Sequence, residues 1–449
     1  MGGRCSLPLL PILFSMVVVM LGIIELIECS HASTTIFSCH GSERKALMQF
    51  KQGLCDPSSK RLSSWVVEQD CCRVTYELGN LSNLHHLDLS YKGALPLHRT
   101  LYLEDAGWIS ELTLLRHLNM HLVNLTKASN LLQALNTLPH IQEIQLSQCE
   151  LINFDPLPHV NFTSLTTLDL SENDMISSIP KWLFNITTLQ HLNLGYNYVL
   201  NWTNPTSIGH LTSLRTLHVS QNLFDHGFKP AALSNLCELQ SLILSRVSIN
   251  DELTNLQGVF SDSCLKMSLE NLDLSDTNLN GPLPDWLGNM KNLKHLDLNS
   301  NSLYGSLPAS LGSLLSLQYL DMTDNDLNDT VEEGIFKQMK GLVSLHLGGN
   351  SLILSEVHFA NLSSLKELDI YNNTLIFNES YYDWIPPFQL EFLDMSFCKI
   401  LPRPQFPKWL ATQRALYELH LANVRINDTL PNWLPSSFYD LDLSNNEIT

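Results

Sequence analysis

From Leu84 onward the chain repeats one pattern of apolar and polar positions, Leu-x-x-Leu-x-Leu-x-x-Asn. Its clearest copies are Leu165-Leu168-Leu170-Asn173, Leu189-Leu192-Leu194-Asn197, Leu293-Leu296-Leu298-Asn301 and Leu317-Leu320-Met322-Asn325. About fifteen copies begin at Leu84, Leu115, Ile141, Leu165, Leu189, Leu214, Leu239, Leu269, Leu293, Leu317, Leu342, Leu365, Leu390, Leu416 and Phe438, at intervals of 22 to 31 residues. The alternation in Leu-x-Leu is a strand period, and the looser stretch that follows carries a second Leu near its end, so each copy predicts one short strand and one return segment. Ordering roughly 24 residues costs about 1–2 kcal/mol each in backbone entropy, and a handful of buried leucines at about 1.5–3 kcal/mol each does not offset that within one coil. Stability therefore has to come from stacking neighbouring coils into a solenoid.

A period of this length with this wording is that of leucine-rich repeats. The expected fold is an α/β-type repeat solenoid, a curved superhelix with a parallel β-sheet on its concave side. The ninth position sits where the coil turns inward, so its amide must satisfy backbone groups of the turn and the adjacent coil. Asn173, Asn197, Asn222, Asn301, Asn325, Asn350, Asn373 and Asn446 fill this ladder, joined by Cys149, Cys398 and Thr277, while Lys92, Val123, Val247 and Val424 interrupt it and predict local irregularity.

Charge and export signals narrow the class. Residues 1–32 read as a secretory signal, with Arg4, an apolar run from Leu7 to Ile24 and the small-residue cleavage site Ser30-His31-Ala32. No later stretch has 18 uninterrupted apolar residues, the length of a membrane span. Asn80, Asn124, Asn161, Asn185, Asn201, Asn328, Asn361, Asn372, Asn378 and Asn427 head Asn-x-Ser/Thr sequons. Four of these, Asn80, Asn161, Asn185 and Asn361, precede the first Leu of a copy by the same four residues, which predicts glycans along one face. Cysteine usage agrees with an oxidising compartment. Cys39, Cys55, Cys71 and Cys72 cluster ahead of the repeats; Cys237 and Cys264 precede strands of consecutive copies, so stacking predicts a bridge between them. The net charge of −19 argues against a nucleic-acid surface, and without Arg4, Glu25 and Glu28 the chain still carries 25 basic against 43 acidic residues.

The side chains flanking each Leu-x-Leu leave the strand on the sheet face. The central column reads Asp88, Asn119, Gln145, Asp169, Asn193, His218, Ile243, Asp273, Asp297, Asp321, His346, Asp369, Asp394, His420 and Asp442, and His86, His117, His121, His191 and His295 share the face. His85-His86-x-Asp88 is the best metal candidate, but neighbouring strand residues point to opposite faces, so no metal site is assigned. The imidazoles instead predict a pH-sensitive surface. Aromatics gather toward the C-terminal copies, and Tyr319, Tyr371, Phe392, Phe397, Tyr417 and Tyr439, with His346 and His420, are the candidate ligand-binding residues. Tyr417 and Tyr439 share a column and are expected within side-chain contact. No Gly-rich phosphate loop, His-Glu-x-x-His, nucleophile elbow or kinase segment is present, so neither catalysis nor a cofactor is expected, and a binding module remains.

The segment Cys39-x-x-x-Glu43-Arg44-Lys45-Ala46-Leu47, followed by Phe50-Lys51, Asp56-Pro57-Ser58, Leu62-Ser63-Ser64-Trp65 and Asp70-Cys71-Cys72, resembles the N-terminal cap of plant leucine-rich-repeat receptor-like proteins, in particular those similar to xylanase-elicitor and scab-resistance receptors. Pro-x-Trp-Leu at Pro180-Trp182, Pro284-Trp286, Pro407-Trp409 and Pro431-Trp433, and Gly-x-Leu-Pro at Gly281-Pro284 and Gly305-Pro308, are the same family's wording. The resemblance implies a plant-type cap over residues 33–78, incomplete because Arg73-Val74-Thr75-Tyr76 replaces the family's Trp-x-Gly-Val-x-Cys, and repeats over 79–449. It also implies a pairing of Cys39 with Cys71, which leaves Cys55 and Cys72 over. The chain reads to Thr449 within a repeat, without the C-terminal cap, acidic stretch or membrane helix of the family, so it is expected to be a shortened copy, attached to a membrane only if a further anchor exists. The implied role is recognition of a microbial protein or peptide at the plasma membrane's outer face, with signalling through partner receptor kinases. A secreted inhibitor of a microbial cell-wall-degrading enzyme and a truncated, non-signalling decoy in the apoplast are the alternatives.

Overall fold

A computed structural model describes residues 83–90, 103, 105–154, 157–198, 200, 205–222, 224, 228–377, 384–401, 405–434 and 438–449. The signal segment, the N-terminal cap with Cys39, Cys55, Cys71 and Cys72, and the sequons at Asn80, Asn201 and Asn378 lie outside the described residues. The chain forms two compact units, divided between Thr203 and Asn204. In the first, five three-residue strands, His86–Asp88, His117–Asn119, Glu143–Gln145, Thr167–Asp169 and His191–Asn193, pair in parallel and in sequence order. In the second, ten strands from Thr216–His218 to Asp440–Asp442 do the same.

Register follows from the leucines. The fourth-position residue is the middle of each strand and pairs with its equivalent on the next, as Leu296 does with Leu272 and Leu320. First-, fourth- and sixth-position side chains such as Leu293, Leu296 and Leu298 are buried, and Phe228, Phe260, Phe336 and Phe388 fill the space behind them. Three of the four Trp residues of Pro-x-Trp-Leu, Trp182, Trp286 and Trp409, sit in short 3-10 helices on the return side, Lys181–Asn185, Asp285–Asn289 and Lys408–Thr412, each entered through the Pro. Proline suits that place because its fixed φ starts the turn and the N–H it lacks has no partner there.

The return segments of the second unit hold more order than the sequence pattern predicts. Six further strands, Asn280–Pro282, Ser302–Gly305, Asp326–Thr330, Ser351–Leu354, Thr374–Ile376 and Lys399–Leu401, pair in parallel as a second sheet. Burial along them is uneven, with one buried side chain in Ser302–Gly305 and in Asp326–Thr330, two in Ser351–Leu354 and none in Lys399–Leu401, so no regular alternation marks them and the pattern reads as a loop.

The ladder amides bind in both directions. Asn350 donates through Nδ2 to Met322 C=O at 2.9 Å on the preceding coil and to Leu347 C=O at 3.0 Å on its own, while its Oδ1 accepts from Leu327 N–H at 3.0 Å. Asn173, Asn301, Asn325, Asn373 and Asn446 repeat the donor pattern. Cys149 and Cys398 are buried thiols that point at Met120 C=O and Ile370 C=O, both at 3.0 Å, and burial pushes both thiols up to about 12.

Lys92 lies outside the described residues. The irregularity expected at Val123, Val247 and Val424 does not occur. Their strands His117–Asn119, Ser241–Ile243 and Glu418–His420 stay in register with both neighbours. All three valines are fully buried, so apolar packing takes the place of the amide bonds and only the hydrogen bonds are lost.

One column lies outside the periodic pattern of leucines and ladder residues. The residue before each ladder position has a left-handed backbone in every copy from Leu115 onward, at Leu122, Gln148, Glu172, Tyr196, Gln221, Arg246, Asp276, Ser300, Asp324, Gly349, Asn372, Phe397, Asn423 and Asn445. This turn aims the N–H at the next coil, as in Asp324 N–H to Gly348 C=O at 2.9 Å and Phe397 N–H to Ala422 C=O at 2.7 Å. The inter-coil bond offsets a conformation that bulky residues seldom adopt.

Replacing Asn350 with Ala should destabilise the fold by about 2–4 kcal/mol, since three buried backbone groups lose a partner at once. Urea unfolding followed by circular dichroism measures it, and a midpoint unchanged from the parent chain would contradict this account of the ladder.

Candidate functional site

The sheet face of the second unit carries two adjacent columns. In the central one, Asp273, Asp297, Asp321, Asp369, Asp394 and Asp442 each accept the backbone N–H two residues on, from Ser275, Asn299, Thr323, Tyr371, Ser396 and Ser444, over 2.7 to 3.2 Å. The carboxylate thus closes an Asx turn that takes the chain out of the strand. This explains why the column is acidic in so many copies without reference to a ligand.

Stacking the same carboxylate in successive coils has an electrostatic consequence. Burial pushes the Asp297 and Asp369 carboxyls up to about 7, with Asp321 and Asp273 beside the first and Asp394 and Asp321 beside the second adding to it. Asp442 lies the other way, held below the usual carboxylate range by the Ser444 N–H.

The flanking column supplies rings. His295 stacks on Tyr319 with centroids 4.1 Å apart and planes within 3°, and Tyr319 meets His346 at 5.5 Å. The Tyr319 hydroxyl donates to Asp321 at 3.0 Å, and burial raises its pKa, while burial lowers that of His295. Further on, Phe392 meets His420 edge-on at 5.8 Å, and His420 lies between Asp394 and Asp440, 3.6 and 3.5 Å away. In the first unit His86 and His117 lie 5.4 Å apart, and His117 faces Glu143 at 3.0 Å.

Of the candidate residues, the structure groups Tyr319 with His346, and Tyr371, Phe397 and His420 around a hollow of about 310 Å³ that Asp394 and Asp442 also line. Tyr371 does not stand free. Its ring lies across Gly348 and Gly349, where an added Cβ would come within 2.1 Å of the ring and 2.6 Å of the hydroxyl, and the hydroxyl reaches Asp324 two coils away. Tyr417 and Tyr439 precede their strands by one residue and make no ring contact; they meet through the backbone, Tyr439 N–H to Tyr417 C=O at 2.8 Å.

Cys237 and Cys264 are joined as a disulfide with Cα atoms 5.1 Å apart, tying consecutive coils on the return side. The sequon residues Asn161, Asn185, Asn328, Asn361, Asn372 and Asn427 are exposed and Asn124 is half-buried. Asn372 adjoins Tyr371 at the hollow, whereas Asn185 closes a 3-10 helix on the return side.

Residues 61–341 match the family model described as a leucine-rich repeat region, and residues 40–76 match a leucine rich repeat N-terminal domain. The chain belongs to the leucine-rich-repeat family. This leucine-rich-repeat chain is similar to receptor-like protein EIX2 of Solanum lycopersicum, 31% identical over 378 residues, which cover 72% of the chain and 36% of that protein. It is 40% identical to receptor-like protein EIX1 of the same plant over 99 residues, 21% of the chain and 9% of the relative. The match therefore spans little more than a third of EIX2. Among solved structures, the Arabidopsis receptor kinase HAESA in complex with the peptide hormone IDA and the co-receptor SERK1 superimposes with a TM-score of 0.66 at 26% identity, over 91% of this chain and 66% of that one. A TDR receptor gives 0.65 at 25%, over 82% and 65%. Among the described residues no helix is long and apolar enough to cross a membrane.

Because Asp297 holds its proton up to about 7 when folded but only to about 4 when unfolded, the folded chain binds more protons between these values. Its contribution to stability therefore grows as pH falls through that window and is lost above it. The melting temperature should rise from about pH 7.5 to about pH 5.5 less steeply in Asp297→Asn than in the parent chain. Equal slopes would remove the buried carboxyl as the cause.

Proposed function

We propose that this chain is the extracellular ligand-recognition region of a plant cell-surface immune receptor-like protein, which binds a microbial protein or peptide on the sheet face of its second unit and signals through partner receptor kinases. The observation that carries the reading is the row of rings His295, Tyr319 and His346 running toward the hollow at Tyr371, Phe397 and His420. His295, Tyr319, His346, Tyr371 and His420 are each held by a contact to a neighbouring coil before any ligand arrives, so little side-chain freedom is lost on contact, which is what a recognition surface requires. A row one strand apart suits an extended or multi-residue ligand better than a small molecule, which binds in a concave pocket that covers most of its surface.

Two further observations support the assignment. The family likeness is to receptor-like proteins, and HAESA, of related architecture, is a receptor kinase seen with a peptide hormone and a co-receptor. The exposed sequons fit passage through the secretory pathway.

Immobilised, secreted chain should retain a component of microbial culture filtrate that protease treatment of the filtrate abolishes. Tyr319→Ala should weaken that capture by about tenfold or more, as loss of an aromatic anchor does. Retention that survives proteolysis, or none above a chain-free control, would count against a protein or peptide ligand.

A further inference from the structure

The acidic column by itself carries no binding role, since each Asp serves its own strand exit. The last coils differ from the others. Asp321 is buried beneath Tyr319, whose hydroxyl it accepts, whereas Asp394 and Asp442 open onto the hollow of about 310 Å³. None of the side chains lining that hollow is Lys or Arg.

Both carboxylates keep acceptor capacity. Asp394 gives Oδ1 to Ser396 N–H at 2.7 Å, and its Oδ2 stands 3.6 Å from His420 Nδ1, longer than a hydrogen bond. Asp442 gives Oδ1 to Ser444 N–H at 2.9 Å. Two rings frame them. Phe397 is 55% exposed on a left-handed backbone, an arrangement that leaves more than half of a large apolar residue in water. Tyr371, on the preceding coil, has its hydroxyl engaged by Asp324 and its ring on the wall of the hollow.

We propose that this hollow is a subsite for an arginine side chain of the peptide ligand, its guanidinium held by Asp394 and Asp442 and stacked against the Phe397 and Tyr371 rings. The inference rests on the peptide-binding reading and names the chemistry one part of that site selects. Arginine fits better than lysine because its planar, weakly hydrated cation both forks onto carboxylates and stacks on aromatic faces, while an ammonium does only the first and desolvates less readily.

The test uses the full secreted chain and three small probes, Nα-acetyl-arginine amide, Nα-acetyl-lysine amide and the neutral isostere Nα-acetyl-citrulline amide, followed by saturation-transfer NMR. The substitutions come from the chain's own repeats. Glutamine stands in the central column at Gln145, so Asp394→Gln with Asp442→Gln removes charge without creating the Asn-x-Ser sequon that Asn would form with Ser396 or Ser444. Asparagine holds the left-handed column at Asn372, Asn423 and Asn445, so Phe397→Asn deletes the ring while easing the backbone.

The arginine probe should saturate more strongly than lysine and citrulline. Its signal should fall about fivefold in the double glutamine variant and about threefold in Phe397→Asn. Citrulline or lysine matching arginine, or an arginine signal that both variants leave unchanged, would overturn the subsite. If the double variant melts early, Phe397→Asn decides alone. Filtrate capture that persists while the arginine probe fails to bind removes the subsite and leaves the peptide reading; specific arginine binding with no captured peptide does the reverse.

Discussion

Everything on the sheet face depends on one constraint: a coil of this repeat has no stable existence without its neighbour. The ladder amide makes the constraint specific. Asn350 ties two coils to each other by donating to both while accepting from the earlier one. The left-handed residue just before it sends its N–H to the following coil. A three-residue strand is far too short to hold its register unaided, so the spacing of side chains on the sheet is inherited from these bonds at the turn. Binding residues can then vary along the strand while the backbone beneath them stays put.

That separation explains how the framework and the surface come to share residues. The central Asp closes the turn with one oxygen and shows the other to the sheet face, so a face built from such turns is acidic before any partner is considered. Where a ring covers the carboxylate, as Tyr319 covers Asp321, the carboxylate is buried and its second oxygen is taken by the hydroxyl. Where no ring covers it, as at Asp394 and Asp442, the charge is available. A single repeat wording thus yields two kinds of surface, chosen by the residue next to the Asp.

How much of this the amino-acid order discloses depends on whether the signal is local. The strands and their register are legible because Leu at the first, fourth and sixth positions is both the signal and the cause. The Asn ladder is legible for the same reason. The left-handed column is half legible: Asp276, Asp324, Gly349, Asn372, Asn423 and Asn445 are the residue types that tolerate it, but Leu122, Tyr196 and Phe397 are not, and there the neighbouring coil imposes the geometry. The second sheet was missed because burial along its strands is uneven, from two side chains in Ser351–Leu354 to none in Lys399–Leu401. Valine in the ladder was misread as a disturbance because the sequence shows the missing amide and hides the packing that replaces it. The hollow needs Tyr371 to lie back over Gly348 and Gly349 toward Asp324, a contact spanning three copies that no periodic pattern encodes.

That contact has a consequence for how such a surface diversifies. Pairs such as His117–Glu143 and His295–Tyr319 join a coil only to the one beside it, so exchanging them engages two neighbouring positions at a time. Around Tyr371 the constraint is wider: a β-carbon at Gly348 would sit within 2.1 Å of the ring, and one at Gly349 within 2.1 Å of the Asp324 carboxylate. Four positions on three coils, Asp324, Gly348, Gly349 and Tyr371, are therefore inherited as a block. Related chains that keep the tyrosine should keep the glycine pair with it, and chains that have lost the pair mark lineages in which this patch was rebuilt from the backbone up.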